Sequence, residues 1–344
     1  MGTSRENTHV VNSEKAVRVG IDGRTGPARE ALDKASADGL DGVLFRLPFL
    51  LSETLDPGEL RAAVDYADER GLYLELGAGW ICPWDFQRAP ATLAAGDGDY
   101  RKGFEKVVRA CASIDRRELL SFIGMSTSRT RTDVPWETQL AGARAFALDV
   151  APMLRDLGVR LNLETHVDAT TFELARLIEE VGPDVLGVTL DTGNLLSRAE
   201  HPTWGVERIA PYVRQMHAKD AVLYFDDRGL VRQPRPCGQG VIDWPAILTI
   251  LKKSSPDLNL TLEDHKGHTP IPIFEPAWLA LQPEMTTIEL AALVKLAHDC
   301  ELAIASGRFP EPVAYHAILY EEQRAERLYA SSKYLRETWA QISV

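Results

Sequence analysis

Apolar residues in this chain fall in short runs of about four to six, each closed by a polar residue and followed by a stretch of helical period. The runs predict strands at 17–21, 42–45, 72–76, 119–123, 161–164, 186–191, 213–217 and 258–263. The intervening periodicity predicts helices at about 26–37, 57–70, 100–115, 135–157, 170–181, 204–210, 244–251 and 285–306. Pro57 stands near the start of its helix, where a missing N–H costs little, and Asp243 is placed to cap the helix that holds Pro245 in its first turn. Strands that alternate with helices pair in parallel and deliver all their C-terminal ends to one side. Eight such units predict an α/β fold, a closed (β/α)8 TIM barrel over 17–306, more than an open doubly wound sheet. Residues 1–16 read as a disordered lead-in. Residues 307–344 read as a C-terminal helical extension, with a charged helix at 320–339 placed to cover the barrel or meet a second subunit. The segments 77–98, 224–240 and 264–283 read as long loops.

The strand ends carry the chemistry. Glu164 ends Leu161-Asn162-Leu163-Glu164, Asp191 ends Leu186-Gly187-Val188-Thr189-Leu190-Asp191, His217 ends Val213-Arg214-Gln215-Met216-His217, and Glu263 ends Leu258-Asn259-Leu260-Thr261-Leu262-Glu263. The first two intervals, 27 and 26 residues (191 − 164 and 217 − 191), each fit one strand–helix unit. The third, 46 residues (263 − 217), accommodates the extra segment at 224–240. Four consecutive strands would therefore bring three carboxylates and one imidazole to the mouth where barrels keep their functional residues. An O3N set suits a hard or borderline divalent ion: Mn2+ first, with Mg2+ or Co2+ as alternatives.

Composition narrows the partners. A net charge of −12 argues against nucleic acid or an anionic membrane, and it leaves a sugar open. No Gly-x-Gly-x-x-Gly follows the first strand, so no nucleotide cofactor is expected. Cys82, Cys111, Cys237 and Cys300 form no Cys-x-x-Cys pair and read as reduced thiols. With no apolar leader and no apolar stretch near membrane length, the expected location is cytoplasmic.

The motifs Leu-Glu-Thr-His (163–166), Leu-Asp-Thr-Gly-Asn (190–194), Met-His-Ala-Lys-Asp (216–220), Gly-Gln-Gly-Val-Ile-Asp-Trp (238–244) and Leu-Glu-Asp-His (262–265) resemble those of the xylose-isomerase-like barrel superfamily over about 17–305. That superfamily includes ketose 3-epimerases, hydroxypyruvate isomerases, inosose dehydratases and a branch of DNA-repair endonucleases. The resemblance implies a metal held by Glu164, Asp191, His217 and Glu263, with Glu164 and Glu263 exchanging a proton on opposite faces of a sugar. It departs from the epimerase branch at Asn194, where those enzymes usually carry histidine. The endonuclease branch needs further histidines for three zinc ions, which makes a DNA-repair role a poor fit.

Around the ligands, His166 lies two residues past Glu164, on the same face if the strand persists. It is a candidate general base or substrate contact, or a loop histidine without a chemical role. Lys219, two past His217, is a candidate for holding a developing oxyanion. Asn194, His265, Trp80 and Trp84 are candidate substrate contacts, with Phe86 and His268 nearby in the loops; packing without ligand contact is the alternative for the aromatics. Arg232 and Arg235 could bind a phosphate or carboxylate, but the neighbouring prolines favour a solvated loop. The leading expectation is a metal-dependent sugar isomerase or epimerase. The rival is a lyase on a keto-sugar: dehydration of a keto-inositol, or cleavage of a C-glycosidic bond with a smaller partner subunit, His166 then serving as base. A non-catalytic sugar-binding barrel is the third reading. The substrate is expected to be a small sugar or glycoside and the protein an oligomer.

Overall fold

The computed structural model describes residues 16–23 and 26–343, so the expected lead-in lies, apart from Ala16, outside the described residues. Seven strands pair in parallel in chain order: β1 (Val19–Gly23), β2 (Gly42–Phe45), β3 (Tyr73–Trp80), β4 (Glu118–Phe122), β5 (Arg160–Glu164), β6 (Leu186–Asp191) and β7 (Val213–Ala218). The chain then leaves the barrel as an antiparallel hairpin, β8 (Asp220–Asp226) and β9 (Gly229–Arg235). It returns as β10 (Leu260–Leu262), which closes the ring between β7 and β1. The expected barrel is present, with all eight strands where the apolar runs placed them.

The helical layer comprises α1 (Ala28–Ala37), α2 (Pro57–Asp68), α3 (Pro90–Ala95), α4 (Tyr100–Ser113), α5 (Trp136–Leu157), α6 (Thr171–Val181), α7 (Pro202–Ile209) and α8 (Trp244–Ser254). Asp56 caps α2 ahead of Pro57, and the Asp243 carboxylate accepts from Ala246 N at 3.1 Å to start α8. Thr170 and Glu173 form a capping box on α6. Beyond β10 come β11 (Thr269–Ile271), α9 (Pro276–Leu279), α10 (Thr287–Ala305), α11 (Pro312–Ala317) and α12 (Tyr320–Gln341). Helix α12 packs against α8, β1 and β10.

Three segments read as loops are more ordered than expected. Residues 220–235 form the β8–β9 hairpin, and β11 adds to its edge, with Thr269 opposite Arg232. Residues 77–98 continue β3 to Trp80, turn through a short helix at Pro83–Arg88, and form α3. Residues 264–283 contain β11 and α9. Arg232 and Arg235 are accordingly buried, not solvated. Proline and arginine disguise the hairpin in sequence: Pro234 sits in β9 opposite Ala221, and the strand is buried by chain that follows much later.

The main core lies between the strands and the helices; Trp244, Phe104, Leu32 and Leu60 are among its largest fully buried side chains. Inside the ring, Leu44, Leu120 and Phe122 form a smaller cluster. Other side chains between strands are polar and hydrogen-bond to one another: Tyr73 to Thr261 at 2.9 Å, Asn259 to Glu75 at 2.6 Å, and Asn162 to Gln215 at 3.2 Å. All four cysteines are free and buried. Among the described residues no helix is long and apolar enough to cross a membrane.

Candidate metal centre

Glu164 and Asp191 end their strands, His217 lies one residue short of the end of β7, and Glu263 follows β10 directly. Register aligns them: Asp191 pairs with His217, and His217 with Thr261, two residues before Glu263. The residue after each of the first two candidate ligands locks the next strand in place. Thr165 Oγ1 donates to Asp191 O and accepts from Asp191 N, at 3.0 and 2.7 Å. Thr192 Oγ1 donates to Lys219 O and accepts from Lys219 N, at 2.7 and 3.0 Å. The Thr in Glu-Thr-His and Asp-Thr-Gly-Asn is thus a rivet between adjacent strand ends. Gly193 leaves room for Lys219: a Cβ there would meet the lysine stem at 2.8 Å. Asp220 fixes the far side, accepting from Ala221, Gly238 and Ile242 N and from Trp244 Nε1.

Glu164, Asp191, His217 and Glu263 each offer one ligand atom, and all four atoms lie within 4.8 Å of one another. All four residues are buried. His217 Nδ1 is 2.9 Å from Glu164 Oε1 and 3.9 Å from Glu263 Oε2. Lys219 Nζ sits between the other two carboxylates, 2.7 Å from Asp191 Oδ2 and 2.5 Å from Glu263 Oε2. Burial pushes the Asp191 carboxyl up to about 6 against the pull of Lys219. Burial also raises Glu164, but His166 and His217 outweigh it and hold that carboxyl down. For His217, burial favours the neutral ring, yet Glu164 and Glu263 prevail and raise it to about 9. Glu164 Oε2 and His217 Nε2 are buried without a hydrogen-bond partner among the described residues. Buried polar atoms are rarely left unmatched. An unmatched carboxylate oxygen and an unmatched ring nitrogen, the latter a lone pair once the ring gives up its proton, fit a divalent cation.

Cations and aromatics complete the rim. Arg46, just past β2, donates to Asp22 Oδ2 at 2.7 Å and to Glu263 Oε1 at 2.9 Å. Asn194 Nδ2 donates to Asp191 Oδ2 at 2.8 Å, and Asn194 Oδ1 accepts from Arg232 Nη1 at 2.8 Å. His166 Nδ1 lies 3.1 Å from Gly124 O and 3.7 Å from Asp168 Oδ1, its ring edge-on to Phe122. Phe122 also carries the Trp80 ring at 4.9 Å and the Arg46 guanidinium at 5.6 Å.

A family description, "Xylose isomerase-like TIM barrel", matches residues 32–285. The chain belongs to the xylose isomerase-like TIM barrel family. Its sequence is 32% identical over 97 residues to the uncharacterized protein YihM of Escherichia coli strain K12, a match spanning 28% of this chain and only 30% of that protein. It is 23% identical over 235 residues to a 3-oxo-isoapionate decarboxylase of Pectobacterium atrosepticum, covering 68% of this chain and 76% of the relative. The fold resembles the D-psicose 3-epimerase from Clostridium cellulolyticum H10 solved with D-tagatose, at 14% identity and a TM-score of 0.57, over 94% of this chain and 99% of that one.

Within this family barrel, Glu164, Asp191, His217, Glu263, Lys219 and Asn194 are assembled in one place, with His166 and Trp80 joined through Phe122. The structure does not bring Trp84 or Phe86 to them. The Trp84 ring lies against Gly142 of α5, and Phe86 stacks on Tyr100 at 3.7 Å. His265 lines a cleft of about 460 Å³ beside Asp22 and Asp264. His268 turns to Gln233, 2.7 Å away, and to the His316 ring. Arg235 lies over Tyr315 at 3.6 Å. Sequence reasoning missed Asp22, Arg46 and Asp168, although Asp22 and Arg46 obey the same strand-end rule that pointed to the four candidate ligands.

Proposed function

We propose that the protein is a divalent-metal-dependent sugar isomerase or epimerase that moves a proton next to a carbonyl. The observation that carries this reading is the convergence of the Glu164, Asp191, His217 and Glu263 ligand atoms within 4.8 Å. These four residues would hold the ion, Mn2+ by preference with Mg2+ or Co2+ as alternatives. When bound, the ion supplies polarisation of a carbonyl and stabilisation of an enediolate. Glu164, on β5, and Glu263, after β10, approach from separate strands and are the groups to take and return the proton. His166, with Asp168 behind it, is a second base or a hydroxyl contact. Lys219 is placed to meet developing negative charge. Trp80 and Phe122 offer an apolar wall to a sugar ring.

A second reading keeps the same site and breaks a bond instead. The decarboxylase relative supports it, because loss of CO2 from a β-keto acid leaves its electron pair in the same kind of enolate. Dehydration, or C-glycoside cleavage with a smaller partner subunit, would use that electron sink too. Incubation with ketoses, keto-sugar acids and keto-C-glycosides in deuterium oxide separates the readings. Deuterium in recovered ketose supports the isomerase; release of CO2, water or an aglycone supports the lyase. Glu263→Gln is expected to cut either activity by about 10²–10⁴-fold with the barrel still folded. Elemental analysis is expected to find about one divalent ion per chain, lost in the Glu164→Ala/Asp191→Ala double variant. Near-normal turnover in Glu263→Gln, or no metal in the parent after loading, overturns the assignment.

A further inference from the structure

Arg232 and Lys219 are both buried, and both approach the same neutral atom, Asn194 Oδ1, at 2.8 and 3.4 Å. The other Arg232 contact is Thr269 Oγ1 at 3.0 Å, and its Nε has no hydrogen-bond partner among the described residues. Among those residues Arg232 forms no ion pair, whereas Arg129, equally buried, is paired with Glu173. A buried guanidinium with only neutral partners is costly. Here Asp191 and Glu263 moderate that cost at longer range. Those two carboxylates are also the ones Lys219 contacts, and they belong to the proposed ligand set. A divalent ion that takes their charge leaves Arg232 and Lys219 as two buried cations converging on one amide oxygen.

We propose, on the reading that this site holds a divalent ion, that the substrate carries a carboxylate seated on Arg232 and Lys219, so that the physiological ligand is a keto-sugar acid and not a neutral ketose. A planar carboxylate matches the two-pronged donor face of a guanidinium, while the ammonium supplies a point charge beside it. Asn194 is the hinge of this arrangement. Its amide N–H donates to Asp191, and its oxygen aligns both cations. A histidine at this position could not present an acceptor to two cations while donating to Asp191 in the same way. The hairpin strand β9 and strand β11, which supply Arg232 and Thr269, thus serve substrate selection as well as covering the barrel.

The test is calorimetric titration of the Mn2+-loaded full chain with 5-keto-D-gluconate, D-fructose and D-fructose 6-phosphate. The acid is expected to bind at least about tenfold more tightly than D-fructose, the scale of one charge-assisted hydrogen bond, and more tightly than the phosphate. In Arg232→Gln, with metal content unchanged, the preference is expected to collapse to within about threefold. Equal or tighter binding of D-fructose, a preference confined to the phosphate, no binding of any of the three, or a preference retained in Arg232→Gln overturns the proposal. The parent titration decides even if the variant fails to fold. Metal content and deuterium exchange report separately on the metal-dependent function, so a metal-loaded, exchanging enzyme indifferent to the carboxylate sinks only the substrate assignment.

Discussion

Lys219→Met offers a quantitative probe of the site. The substitution keeps the aliphatic stem beside Gly193 and removes an ammonium that lies 2.7 Å from Asp191 and 2.5 Å from Glu263. At an effective dielectric near 20, each of these pairs is worth about 6 kcal/mol of direct attraction. Desolvation of three buried groups offsets much of that, and removing one partner of a buried pair typically leaves a net loss of about 3–5 kcal/mol. The metal-free variant is therefore expected to melt lower by on the order of 10 °C, taking roughly 2–4 °C per kcal/mol. Metal binding is expected to change in the opposite sense. The oxygens that Lys219 contacts are oxygens a divalent ion would take, so parent protein must displace the ammonium and the variant need not. Mn2+ affinity, measured by competition with a chelator, is expected to rise by about a hundredfold. Mn2+ should also raise the melting temperature of the variant more than that of the parent. Unchanged or weaker Mn2+ binding in a folded variant would refute the idea that ammonium and metal compete for these carboxylates.

Other consequences can be checked with similar economy. Glu200 shares Arg208 with Glu289, and burial holds its carboxyl up at about 7. A raised carboxyl favours the protonated fold, so its contribution is complete below about pH 4.5 and is lost as pH rises through about 7; the span corresponds to on the order of 3 kcal/mol. Urea denaturation should therefore show Glu200→Gln gaining on the parent between pH 5 and pH 8, and a flat difference would mean that Arg208 already compensates the charge. Arg327 on α12 is buried against Asp264, Tyr315 Oη and the His265 carbonyl. Arg327→Met is expected to destabilise the protein by about 3–5 kcal/mol and to weaken Mn2+ binding, because Asp264 adjoins Glu263. Thermal melts with and without Mn2+ test both effects, and a melt like that of the parent would count against the anchor.

Much of the barrel was legible because each strand is a short apolar run that ends in a polar residue, a pattern set by burial on both faces of a parallel sheet. The convergence of Glu164, Asp191, His217 and Glu263 was legible for the same reason, since the polar residue after a buried run marks the mouth. Arg232 was not. A charged side chain just ahead of two prolines reads as solvated, and its burial depends on Thr269, which lies 37 residues later in sequence. Arg235 is held by Pro310 O, 75 residues away. Trp84 and Phe86 show the converse limit: aromatics after a strand can turn to the mouth or back onto α4 and α5, and sequence does not say which. The hairpin is hidden in the sequence because only Lys219 separates β7 from β8, with no turn residue to mark the exit.

The anchor between α12 and the turn after β10 has a further meaning during synthesis. The ribosome makes Glu164, Asp191 and His217 on strands that can pair with their neighbours as they emerge. Strand β10 spans only Leu260–Leu262 and must find both β7 and β1. The turn that carries Glu263 is then fastened by Arg327, 63 residues beyond Asp264. A nascent chain can thus hold three of the four candidate ligands on formed strands while the fourth still waits for chain not yet made. On this topology the centre would be completed at the seam where the ring closes. An ion bound there would tie β10 to β5, β6 and β7, so metal supply would act on the final step of folding as well as on chemistry.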